Sequence, residues 1–218
     1  MSRGSACVNI GPAALEGTLT LPERARGIVL FAHGSGSSRL SPRNQHVARA
    51  LEDRGFATLL LDLLTPAEAV DSGNVFDIEL LAERVSDAIS WVRADSRTHC
   101  LPLGLFGAST GAAAVLVAAA RHPETVGAVV SRGGRPDLAA EFLPAVRAAT
   151  LLIVGSLDHV VIKLNRQALH RLSCVKQIEL VGGATHLFEE PGTLDAVVEL
   201  AARWFGHHLA PRASVAAS

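Results

Sequence analysis

From Gly27 onward the chain alternates short runs that are apolar at nearly every position with longer stretches whose apolar residues recur three or four positions apart. A strand that is apolar on both faces must be covered on both, so this alternation implies a parallel sheet between two layers of helices. The predicted strands are Ala6–Ile10, Glu16–Leu21, Gly27–Ala32, Phe56–Leu61, Leu101–Phe106, Val126–Ser131, Thr150–Val154 and Lys176–Val181. Between them, Ile78, Leu81, Val85, Ala88, Ile89 and Val92 trace one helix face, and Leu194, Val197, Val198, Ala201, Trp204 and Phe205 another. Arg43–Arg54 reads as a helix ended by Gly55, and Ala112–Arg121 as an alanine-rich helix. The first two strands lie too close in sequence for a crossover and should pair antiparallel at one edge. The expectation is an α/β fold with a mostly parallel eight-stranded sheet and helices on both faces: one domain over residues 1–209, then a frayed tail over 210–218.

Composition removes several classes of function. The 20 basic residues, 18 of them arginine, nearly balance 21 acidic ones, which leaves no electrostatic footprint for a nucleic acid. Mean hydropathy is positive, yet no run approaches the roughly 18 apolar residues of a membrane span. Met1–Gly17 lacks the layout of a signal peptide. Cys7, Cys100 and Cys174 are odd in number and match no zinc spacing, so reduced thiols, a cytoplasmic location, and neither metal nor cofactor are expected. Tyrosine is absent, so no phenol can serve as acid, base or oxyanion donor.

In open α/β sheets ligands bind beyond the carboxyl ends of the strands. There, strand Leu101–Phe106 runs through Gly107-Ala108-Ser109-Thr110-Gly111 into a helix, the G-x-S-x-G pattern of a nucleophile elbow. Glycines on both sides permit the sharp turn that exposes the serine, and the helix N-terminus favours developing negative charge. Composition alone predicts about 0.12 such pentapeptides, so the strand–turn–helix setting carries the argument against a plain glycine-rich turn. After strand Gly27–Ala32 comes His33-Gly34-Ser35-Gly36-Ser37-Ser38, whose small residues let backbone amides approach a ligand. The N–H groups of Ser35 and Thr110 are the candidate oxyanion hole, with His33 bracing the turn. A phosphate loop is the rival reading, but neither G-x-x-x-x-G-K-[ST] nor G-x-G-x-x-G is present.

A serine nucleophile needs a base, and the base an orienting acid. Among nine histidines, His186 stands out because it follows strand Lys176–Val181 through Gly182-Gly183-Ala184-Thr185. Asp158, after strand Thr150–Val154, is the candidate acid; Asp62, directly after Phe56–Leu61, is the alternative. The order Ser109, Asp158, His186 is that of α/β-hydrolases rather than of chymotrypsin or subtilisin. Arg132 and Arg135 follow strand Val126–Ser131, and Arg132 could pair with a substrate carboxylate. Arg43, Lys163 and His33 are further candidate substrate contacts.

The segments Phe31–Gly36, Gly107–Gly111, Gly155–Asp158 and Gly183–His186 resemble the α/β-hydrolase superfamily, and within it the dienelactone hydrolase-like branch, over roughly Gly27 to Phe205. Dienelactone hydrolases proper carry cysteine at the elbow, whereas this chain has Ser109, so the resemblance points to a serine esterase rather than to dienelactone itself. Relatives with a lid insert it after the sixth strand. Here that connection is short, which implies no substantial lid and an open, shallow site for small ester or lactone substrates. The expected reaction is two-step acyl transfer, with His186 as base, Asp158 as its orienter and the Ser35 and Thr110 amides on the oxyanion. An acyltransferase using the same residues and a ligand-binding or signalling protein of this fold are the alternatives. The expected partner is a small molecule, with no nucleic acid or membrane, and the chain is expected to be a monomer or homodimer.

Overall fold

In the computed structural model, which describes residues 3–209, eight strands form one sheet. The strands are β1 (Arg3–Ile10), β2 (Leu15–Pro22), β3 (Ile28–Ala32), β4 (Ala57–Leu61), β5 (Leu103–Ala108), β6 (Val126–Arg132), β7 (Ala149–Gly155) and β8 (Lys176–Val181). Their spatial order is β1-β2-β4-β3-β5-β6-β7-β8. β2 pairs antiparallel with both β1 and β4, and every later pairing is parallel. The helices are α1 (Pro42–Asp53), α2 (Ser72–Phe76), α3 (Ile78–Ala94), α4 (Thr110–Arg121), α5 (His159–Arg171) and α6 (Thr193–His208). The expected tail, 210–218, lies outside the described residues.

Strand periodicity sorts the core into two layers. Ile28, Leu30, Ala32, Leu103 and Leu105 point toward α3 and α4, whereas Val29, Phe31, Phe106, Val130 and Ile153 point toward α1 and α6. β3 and β5 are neighbours, but the chain leaves them toward opposite edges of the sheet. The crevice above that switch point is where a ligand site is expected. It is flanked by the turn after β3 and the turn after β5.

Two connections carry short elements beyond the predicted strands and helices. The β6–β7 segment holds two 3₁₀ turns, Pro136–Ala139 and Leu143–Ala145. The β4–α3 segment carries a 3₁₀ turn (Glu68–Val70) and α2, which apolar periodicity did not reveal because neither buries a residue. Polar capping makes them instead. Thr65 and Glu68 form a reciprocal capping box, and Asp71 and Asp77 cap the helices that follow them. No described helix is long and apolar enough to cross a membrane.

Candidate active site

Ser109 links β5 to α4 with φ 51° and ψ −121°, a strained conformation for a residue with a side chain. The flanking glycines are required by space. A Cβ on Gly107 would sit 2.7 Å from the Gly111 carbonyl oxygen, and one on Gly111 would sit 2.6 Å from that of Ala32. Because Ser109 reverses the chain at once, α4 starts at Thr110 rather than at Ala112. The segment after β6 grips the elbow: Ser109 N–H donates to the Arg132 carbonyl (3.2 Å), and Arg135 N–H donates to the Ser109 carbonyl (3.1 Å).

Asp158 and His186 come from the ends of the two neighbouring strands β7 and β8. His186 Nδ1 lies 2.7 Å from Asp158 Oδ2, with the aspartate mostly buried and the imidazole half-exposed. A proton on Nδ1 satisfies this bond and leaves Nε2 as the basic nitrogen. The other carboxylate oxygen of Asp158 caps α5 through Val161 N–H (3.3 Å), so one residue starts a helix and orients a histidine. Gly155 permits this approach, since a Cβ there would lie 2.5 Å from the Thr185 carbonyl oxygen. Gly133 connects the histidine to the elbow: it follows Arg132, and a Cβ on it would meet the His186 carbonyl oxygen at 3.1 Å. Glu190, which nothing in the sequence pattern singled out, clamps the histidine loop by accepting from Thr185 Oγ1–H (2.5 Å) and N–H (3.1 Å). These bonds hold its carboxyl below the ordinary glutamate range.

On the opposite side of the elbow, the turn after β3 is bonded down. His33 Nδ1 meets the Gly34 carbonyl at 2.9 Å, and its Nε2 accepts from Leu63 N–H at 3.1 Å. Both ring nitrogens are engaged, and burial lowers the imidazole pKa, so His33 is a neutral brace between two loops. Ser35 N–H, a candidate oxyanion donor, is given to Thr110 Oγ1 at 2.9 Å. Thr110 N–H opens α4, where helix geometry supplies no intrahelical acceptor. Asp62, the alternative acid, accepts from Arg39 N–H (2.6 Å) and from the Arg39 guanidinium, which also reaches Glu16. A cavity of about 390 Å³ opens on this side, with Gly34, Ser35 and Thr110 at the elbow end and Leu63, Leu64 and Val75 among its apolar walls.

The arginines after β6 part company. Arg135 is spent on Asp137 in a two-bond ion pair (2.8 and 2.9 Å). Arg132, the last residue of β6, is buried with 7% exposure, and its Nε and Nη1 have no partner among the described residues. Arg43 pairs with Glu189 at 2.9 Å, while Lys163 is exposed on α5.

Residues 23–135 match the family model described as serine aminopeptidase, S33. The crystal structure of a dienelactone hydrolase from Anabaena variabilis has a TM-score of 0.91 to this chain at 53% identity, over 95% of this chain and 98% of that one. Est1E from Butyrivibrio proteoclasticus shares the fold, with a TM-score of 0.80 at 13% identity over 94% of this chain and 98% of its own. Relatives from two strains of Mycobacterium tuberculosis, provisionally named phosphoribosyl transferases, are 58% identical over 199 residues. That match covers 91% of this chain but 45% of theirs, so the chain spans less than half the length of those relatives. By sequence and by fold, the chain belongs to the α/β-hydrolases, in the dienelactone hydrolase-like branch.

Proposed function

We propose that the protein hydrolyses small carboxylic esters or lactones through an acyl-enzyme on Ser109. The observation that carries this reading is the 2.7 Å Asp158–His186 bond beside a serine held in an elbow conformation. His186 Nε2 takes the proton of Ser109 as Oγ attacks the carbonyl carbon, then delivers it to the leaving alkoxide. A water molecule, deprotonated by the same nitrogen, cleaves the acyl-enzyme and restores Ser109. Thr110 N–H, at the positive end of α4, faces the developing oxyanion. The Ser35 amide joins it by releasing or sharing its bond to Thr110 Oγ1. A cavity of about 390 Å³ suits a small acyl or alcohol group, near the lower end of the usual range for small-molecule sites.

A fluorophosphonate should label the protein stoichiometrically at Ser109, and Ser109→Ala should lower ester turnover by about 10⁴–10⁶-fold. Near-full activity in that variant sinks the assignment. A panel of p-nitrophenyl esters, lactones and an aminoacyl p-nitroanilide, run with and without a competing alcohol, separates ester hydrolysis from amide cleavage and from acyl transfer.

A further inference from the structure

The turn after β3 rests on the elbow at Gly34, where a Cβ would stand 2.9 Å from Ser109 Cβ and 3.6 Å from its Oγ. The next residue, Ser35, gives its N–H to Thr110 Oγ1, so the threonine hydroxyl sits between the two amides assigned to the oxyanion. An oxygen within reach of both amides therefore lies against that hydroxyl. Thr110 is 4% exposed, and with Gly34 and Ser35 it lines the elbow end of the cavity of about 390 Å³. The fate of its own hydrogen separates it from other buried threonines. Thr58, Thr98, Thr150 and Thr193 donate to oxygens of Glu52, Val92, Ala148 and Glu190 respectively. Thr20, the remaining one, pairs with Thr58 near the start of β4, at the opposite end of the strands from the elbow. Thr110 accepts from Ser35 and donates to no group among the described residues. Position explains the unused hydrogen. A threonine inside a helix gives it to the carbonyl one turn back, and Thr110, the first residue of α4, has no turn behind it.

We infer, resting on the ester hydrolase reading of Ser109, that Thr110 is a catalytic residue whose hydroxyl donates a third hydrogen bond to the oxyanion while the Ser35 amide holds it in place. No covalent bond is made or broken at Thr110. Its proton stays on Oγ1, while negative charge gathers on the former carbonyl oxygen as Ser109 Oγ bonds to the carbonyl carbon. A hydroxyl that already accepts from an N–H is polarised and donates more strongly, so Ser35 acts through Thr110 as well as directly. The relay is set before substrate arrives. His33 Nδ1 (2.9 Å) and Ser37 N–H (3.2 Å) both fasten the Gly34 carbonyl, which fixes the turn that carries Ser35.

The test uses Thr110→Val, which removes the hydroxyl at similar volume, and Thr110→Ser, which keeps it. With p-nitrophenyl acetate, kcat should fall about 10–100-fold in Thr110→Val with KM within a few-fold, and Thr110→Ser should recover most of the loss. The drop is smaller than for an unshared donor, because the freed Ser35 amide can turn to the oxyanion. A kcat equal to or above that of the unmodified protein overturns the inference, since a hydroxyl that merely occupies the Ser35 amide would give that result. A second readout distinguishes contact from positioning. In the crystal structure of the Ser109 fluorophosphonate adduct, the phosphoryl oxygen stands in for the oxyanion, and Thr110 Oγ1 should lie about 2.5–3.0 Å from it. A hydroxyl turned away from that oxygen, still holding only Ser35, leaves Thr110 a positioning residue and overturns the catalytic role. The adduct needs no variant, so it decides the question if Thr110→Val does not fold. Labelling and turnover in the unmodified protein, with Thr110→Val unaffected, overturn this inference alone. Neither labelling nor turnover in the unmodified protein overturns the hydrolase reading and the role of Thr110 with it.

Discussion

The two walls of the cleft differ in how they treat charge. On the β3–β4 side the ionisable groups at the strand ends are paired: Asp62 is bonded to Arg39, Arg39 also to Glu16, and His33 spans Gly34 and Leu63. On the β6–β8 side the pairings leave chemistry available: the His186–Asp158 bond occupies one ring nitrogen, and Arg132 is buried without a carboxylate. Asp62 and Arg132 both stand at the carboxyl ends of strands, where functional residues collect. Position alone does not separate them, whereas the presence or absence of a local counter-charge does. A satisfied ion pair holds loops together, and an unsatisfied guanidinium burdens the fold.

The sharpest way to break this contrast is to alter the carboxylate on each wall. Asp158→Asn keeps a side chain able to cap α5 but no longer orients the imidazole, so kcat should fall about 10⁴-fold with an unchanged melting curve. Asp62→Asn should leave kcat within a few-fold. Equal losses in steady-state assays of the two variants would erase the distinction between the walls.

Next in size is the arginine. Arg132→Met replaces a buried unpaired cation with an apolar chain of similar length, and urea unfolding should show a gain of about 1–4 kcal/mol. A loss of stability would mean that Arg132 is already satisfied within the fold.

On the opposite wall, Asp62→Asn should cost about 1–2 kcal/mol in the same unfolding experiment, from the weakened bonds to Arg39. The smallest effect belongs to His33. Burial depresses its pKa, so the unfolded chain takes up the proton first as pH falls. Its contribution to stability is complete above about 6.5, the ordinary histidine value, and is lost as pH falls from there toward the folded value. His33→Gln should flatten that part of the pH–stability curve, and an unchanged slope would remove His33 as a buried neutral brace.

Much of this arrangement was legible in the chain. Runs such as Leu59-Leu60-Leu61 and Leu151-Leu152-Ile153 are apolar throughout because helices cover both faces of the sheet, so the period that marks a strand also marks its layer. Gly107 and Gly111 flank Ser109 because backbone occupies the space where their side chains would stand, a constraint local enough to be written as a pentapeptide. Other features were not legible. The bond from Ser35 to Thr110 joins residues 75 positions apart, and the two are brought together only by the parallel pairing of β3 with β5. Glu190 gives no periodic signal, because its role is a pair of hydrogen bonds inside one loop.

By itself the sequence determined the sheet, its two helical layers and the turns at which Ser109, Asp158 and His186 emerge, since hydrophobic period and glycine placement are properties of short segments. Which charges are neutralised was decided only in three dimensions. Asp62 and Arg132 both read as charged residues at strand ends, and the fold gave Arg39 to one and brought another cation, Arg43, to the other. The physical reason is that a counter-ion acts through distance, and distance between remote residues is set by tertiary packing rather than by their order in the chain.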